Sequence, residues 1–90
     1  MNANMGRPSH NKKMDLSKEC ILTQEDYTNI LYSMRINSGL SQVEAAKSIG
    51  VSDITIWNWE NGVACPSISM LIDVFNFYGY KIKIVEDKKC

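Results

Sequence analysis

The sequence predicts an all-α fold, a small bundle of helices that ends in one short β-strand, and three observations carry the prediction. Apolar residues recur at helical spacing in successive stretches, each opened by a Ser or Thr and closed by a Gly. Ala45 and Ala46 stand just before Gly50, with Val51, Ile56 and Trp59 after it, so two short helices can approach closely around a tight turn. Near the C-terminus the period changes from about 3.6 to about 2 over Tyr80-Lys81-Ile82-Lys83-Ile84-Val85-Glu86.

The elements follow in order. Residues 1–18 mix Asn, Ser, Lys, Gly and Pro without an apolar period and read as a flexible basic tail. A domain follows over 19–79. Thr23, with Asp26 three places on, offers an N-cap for a first helix whose apolar face is Tyr27, Ile30, Leu31 and Met34, and which ends near Gly39. Ser41 with Glu44 caps a second helix over Gln42 to Ile49, and Gly50 ends it because a turn at positive φ costs least without a Cβ. Ser52 caps a third helix that runs to Glu60 or Asn61, where Asn61-Gly62 signals a stop. Pro66-Ser67 starts a fourth, with Leu71, Val74, Phe75 and Tyr78 as its buried stripe and Gly79 at its end. Residues 80–90 then form a strand and tail. A lone strand cannot satisfy its backbone, so it pairs either with its copy in a second subunit or with Cys20-Ile21-Leu22 of the same chain. The two-fold pairing is preferred, and makes this segment the expected dimerisation element.

With 44% apolar and 22% charged residues, the composition is that of an ordinary soluble protein, and no apolar run approaches a bilayer-spanning length. No signal-peptide core is present, which points to the cytoplasm. Cys20, Cys65 and Cys90 are odd in number and far apart, without metal-site spacing. Reduced thiols are expected, with Cys20 and Cys65 half-buried and Cys90 solvated, and neither metal nor cofactor is implied. Enzyme classes fall away for want of a Gly-rich phosphate loop, a metal-ligand cluster, or a nucleophile with a nearby base.

The formal net charge is zero, but its distribution is uneven. Between Thr23 and Tyr78, two basic residues, Arg35 and Lys47, stand against six acidic ones, a net of −4. Basic residues gather at the ends, at Arg7, Lys12, Lys13 and Lys18, and at Lys81, Lys83, Lys88 and Lys89. Two short helices around Gly50 have helix-turn-helix geometry, in which the second helix is presented to a DNA major groove. Electrostatic attraction to phosphates must then come largely from the terminal segments.

Gly39-Leu40-Ser41-Gln42, Ala46, Gly50-Val51-Ser52, Ile56, Trp59-Glu60-Asn61-Gly62, Pro66-Ser67 and Leu71 together resemble the phage repressor and Cro (XRE) family of helix-turn-helix regulators, over roughly residues 27–79. The resemblance implies a compact four- to five-helix bundle that binds double-stranded operator DNA, commonly as a homodimer. It implies base contacts from Ser52, Asp53, Ile54 and Asn58, and backbone contacts from Gln42, Thr55, Trp57, Asn61 and Arg35. It also implies a salt bridge between Arg35 and Glu60 that fixes the third helix. The chemistry is suitable: Asn58 can pair with adenine, Asp53 can accept from the cytosine amino group, and Ile54 can pack on a thymine methyl. The terminal strand resembles a dimerising extension of antitoxin-type members.

Each role has a plainer counterpart. Ser52 serves as an N-cap in either case, Asp53 complements the positive end of its helix, Ile54 is also read as a merely exposed residue or a protein contact, and Asn61 is also read as only finishing the helix before Gly62. Trp59 belongs to the core, while Trp57 points elsewhere, toward sugar-phosphate or a dimer contact. Gly6-Arg7-Pro8 resembles the centre of an AT-hook but lacks the second flanking Arg, which favours a plain basic tail. The pattern departs from the family at Ala45, where a large aliphatic residue is usual, at Asn58, and in Val63-Ala64-Cys65, which carries no basic residue. A transcriptional regulator reading a palindromic operator is the expected function; the alternative is a protein-interaction module or antitoxin-like partner of the same fold with weak DNA binding.

Overall fold

The computed structural model describes residues 11–87, so Gly6-Arg7-Pro8 and Cys90 lie outside the described residues. Among these there are four helices and no strand: α1 (Tyr27–Asn37), α2 (Gln42–Ile49), α3 (Asp53–Glu60) and α4 (Ile68–Phe77). Their starts are written in side-chain chemistry. Ser41 Oγ accepts from the Glu44 N–H at 3.0 Å while the Glu44 carboxylate accepts from the Ser41 N–H at 2.9 Å, a reciprocal capping box. These bonds hold the Glu44 carboxyl below its usual range. Ser52 and Ser67 cap α3 and α4 through the N–H groups of Thr55 and Met70. At α1, Thr23 closes a preceding turn instead: its Oγ1 accepts from the Asp26 N–H at 3.0 Å, and the regular helix begins at Tyr27 with Asp26 in the N-cap position.

Between α2 and α3, Gly50 adopts φ +97°, and the N–H groups of Gly50 and Val51 both donate to Ala46 O at 2.8 and 3.0 Å. This closure makes a tight turn over residues 50–52 and lets α2 lie close to α3. The faces that meet are small on one side and large on the other: Ala45 and Ala46 from α2 are buried against a core that includes Ile56 and Trp59 of α3. Ile30, Leu31 and Met34 of α1 and Leu71, Val74, Phe75 and Tyr78 complete the core.

Residues 11–16, part of the tail in the sequence reading, lie along α1. Met14 and Leu16 pack on the core, and the Met14 N–H donates to Ser33 Oγ at 2.7 Å. Two further sequence expectations are corrected. Cys20 and Cys65 are exposed, because Cys20 stands on an irregular segment, 17–25, that is exposed throughout, and on the α3–α4 connection it is the neighbouring Pro66 that is buried. The C-terminal β-strand is not formed: residues 81–87 are irregular and exposed, with Ile84 95% exposed. Their period is that of a strand, but a ladder needs a second edge, and within the described chain none is presented. Residues 16–22 face residues 80–85 across a cleft of about 1000 Å³ floored by Ile30, Met34 and Phe75. One exposed ion pair, Lys83 Nζ to Glu19 Oε2 at 2.9 Å, links the two sides.

Candidate nucleic-acid interface

The third helix divides its side chains cleanly. Ile56, Trp59 and Glu60 are buried, while Ser52, Asp53 and Ile54 are exposed and Thr55, Trp57, Asn58 and Asn61 are half-buried. Ile54 and Asn58 are four apart and share one face, with Asp53 beside them in the first turn. Among the described residues, the side chains of Asp53, Ile54 and Asn58 make no hydrogen bond, so their chemistry is available to a ligand. Ser52 and Thr55 are partly committed: Ser52 Oγ accepts from the Thr55 N–H at 3.2 Å and its hydroxyl bonds Thr55 Oγ1 at 2.8 Å. The cap thus turns both hydroxyls to the N-terminal end of α3, where unpaired N–H groups and the helix dipole favour an anion.

The inner face is tied down by charge. Arg35 Nε donates to Glu60 Oε2 at 2.7 Å and its Nη2 to Glu60 Oε1 at 3.0 Å, while Nη1 donates to Leu40 O at 2.9 Å. Burial alone would lower the Arg35 pKa, but the hydrogen bonds and charge of Glu60 outweigh it and the net direction is upward. The guanidinium also lies over the Tyr32 ring at 5.7 Å. With three nitrogens turned inward and 8% of the residue exposed, Arg35 holds α3 against α1. Little of it is left to meet a phosphate.

Gln42 opens α2 half-buried, and its Nε2 donates to Glu60 Oε1 at 3.2 Å. Position 42 is therefore fixed to the same carboxylate as Arg35, a link that spacing alone did not reveal. Asn61 Nδ2 donates to Trp57 O at 2.9 Å, and the Asn61 N–H donates to the same oxygen at 2.9 Å. The helix-end role of Asn61 is thus present in the structure. Just beyond it, the N–H groups of Val63 and Ala64 both point to Asn58 O, at 2.9 and 3.4 Å, and bind the connection to the reading helix. Buried Tyr78 lies near this network; burial, then the charge of Glu60, pushes its phenol up to about 12, with Arg35 opposing.

Sequence reasoning missed the polar seam of α1. Asn29 and Ser33 stand four apart and receive the backbone of residues 12–14, and Asn37, four further on, donates to Tyr80 Oη at 3.3 Å. The i, i+4 spacing of these polar residues beside the apolar face was the available signal.

A family model described as helix-turn-helix matches residues 31–85, more than half of the chain. No curated protein and no solved structure matches it.

Proposed function

The chain belongs to the XRE-type helix-turn-helix family of DNA-binding regulators, and on that premise we propose that it is a sequence-specific transcriptional regulator that reads a palindromic operator as a dimer. The observation that carries this reading is the division of α3: Ile56, Trp59 and Glu60, which fix the helix, are buried, while the side chains of Asp53, Ile54 and Asn58, suited to base edges, are exposed or half-buried and make no hydrogen bond among the described residues. Asn58 reads adenine, Asp53 a cytosine amino group, Ile54 a thymine methyl, and Ser52 contributes at the start of the helix. Gln42, Thr55, Trp57 and Asn61 flank them as backbone contacts. Arg35 acts chiefly by holding α3. Selection of bound fragments from a random DNA pool tests the proposal; an enriched two-fold symmetric motif is expected, and no enrichment even at low salt would reject it.

A dimer follows from the unused strand period of Tyr80–Glu86. Exposed Ile84 and Val85, and a backbone over 81–86 with no ladder among the described residues, fit a strand that completes its ladder with a second copy. Two reading helices about 34 Å apart would then meet successive major-groove faces. With a core of net charge −4, each subunit makes few phosphate contacts, so binding should be less steep in salt than for a basic repressor.

The same acidity, with the open apolar cleft beside residues 16–22, favours one second reading: a protein-interaction module or antitoxin-like partner with weak DNA binding. Purification from native lysate with a stoichiometric protein partner and no retained DNA motif would support it.

A further inference from the structure

We propose that residues 11–16 form a strap that sets the position of α3, with Asn11 as a positioning residue of the helix read above as base-contacting; the functional half of the inference rests on that reading. The Asn11 carboxamide has two N–H bonds, and Nδ2 lies against two acceptors. It donates to Glu60 O at 2.8 Å and to Asn29 Oδ1 at 3.3 Å. One side chain therefore bridges the end of α3 to the first turn of α1.

The two acceptors differ in what they need. Glu60 O is one of the last carbonyls of α3, a group that the helix itself cannot satisfy. The neighbouring carbonyls are met locally, Trp57 O by Asn61 and Asn58 O by Val63 and Ala64, whereas Glu60 O is met by a residue 49 positions away in the sequence. Asn29 Oδ1 is shared, since the Lys12 N–H also donates to it at 3.0 Å. Ser33, fully buried, then takes the Met14 N–H and itself donates to Asn29 O at 2.7 Å. Three strap residues are thus held by two polar side chains of α1, and Met14 and Leu16 add apolar contact.

Glu60 is the point where these restraints converge. Its carboxylate holds Arg35 of α1 and Gln42 of α2, and its carbonyl holds the strap. Freeing the carbonyl leaves the Glu60 carboxylate as the hydrogen-bonded tie between this end of α3 and the α1 and α2 side chains, beside the packing of Trp59. Base contacts require donor and acceptor within a few tenths of an ångström, so a small rotation of α3 weakens discrimination before it unfolds anything.

Two isosteric changes at touching residues separate this role from others. Asn11→Asp keeps shape but removes both donors and sets a carboxylate against two oxygen acceptors. Asn29→Asp adds the same charge a hydrogen bond away, yet keeps the acceptors that Asn11 and Lys12 use, and an acid in the first turn of α1 suits the helix dipole. In the full chain, Asn11→Asp should speed amide exchange at Met14 and Val63 about tenfold and weaken binding to the duplex selected with the unaltered protein by a similar factor. Affinity for a random duplex should fall no further in Asn11→Asp than in Asn29→Asp, which should keep wild-type exchange and selected-duplex affinity within about twofold. Equal loss in both variants would show a charge effect and overturn the proposal, as would an Asn11→Asp protein that exchanges and binds like the wild type. If the wild type selects no duplex, the DNA reading falls separately. Faster Val63 exchange in Asn11→Asp alone would then still uphold the strap, and unchanged exchange would overturn it.

Discussion

Arg35 and Glu60, 25 residues apart, meet through two parallel hydrogen bonds of 2.7 and 3.0 Å with 9% and 3% of their side chains exposed. A charge pair so enclosed is poor as a source of net stability but costly to break on one side. Glu60→Ala should therefore destabilise the fold by about 3–5 kcal/mol in denaturant titration, since it strands a buried guanidinium. Adding Arg35→Met should return much of that loss. A double variant no more stable than Glu60→Ala would show that the pair is not the cause.

Tyr78 gives an alkaline signature. Its phenol is held up to about 12 from 10.0, so the stabilisation belongs to the neutral form. It is complete below the ordinary value and is lost as pH rises toward the folded value, by up to about 2–3 kcal/mol. Thermal scans from pH 9 to about 12 should show this decline in the wild type and a shallower one in Tyr78→Phe. Identical slopes would remove Tyr78 from the account.

Gly50 isolates a backbone effect. At φ +97° no atom lies within 4 Å of where a Cβ would stand, so Gly50→Ala meets conformational strain without a clash. A loss of about 1–2 kcal/mol in urea unfolding is expected, with the fold retained. A neutral result would mean that the α2–α3 turn relaxes out of the left-handed region.

Asn58 should separate affinity from stability. Asn58→Ala should cost about 1–3 kcal/mol of binding to the selected motif and relax selection at one base position, with an unchanged unfolding midpoint. If this variant and Asp53→Ala both bind as the wild type does, α3 does not read bases through these residues.

Truncation after Gly79 addresses assembly. It removes the whole strand-period segment while leaving α1 to α4 in place. Light scattering should report a dimer for the full chain and a monomer for the truncated one. An unchanged mass would exclude the intersubunit strand.

How far the sequence carried each of these points depended on range. Helix ends were legible because they are decided by neighbours: Ser41 with Glu44, Ser52, Ser67, and the glycines that follow each helix. The buried stripe of Leu71, Val74, Phe75 and Tyr78 was legible for the same reason, since period encodes a face. The Arg35–Glu60 pair was reached only through family resemblance, because nothing local connects positions so distant. Gln42 at Glu60 and Asn11 at Glu60 O escaped entirely; short polar residues carry no period and reveal their partners only once the helices are assembled. The terminal strand failed differently. Its alternation is real in the sequence, but alternation specifies a face, and a strand exists only when a second edge accepts its hydrogen bonds.

Among the described residues, the side chains of Asp53, Ile54 and Asn58 on the outer part of α3 bear none of the hydrogen bonds that hold it in place. Address and chassis are thus written on separate residues of one helix. Exchanging Asp53, Ile54 and Asn58 as a set offers a route to retarget the protein to other duplex sequences, by evolution or by design, without first spending stability. The carboxylate at position 60 has no such latitude, because Arg35 of α1 and Gln42 of α2 are both fastened to it.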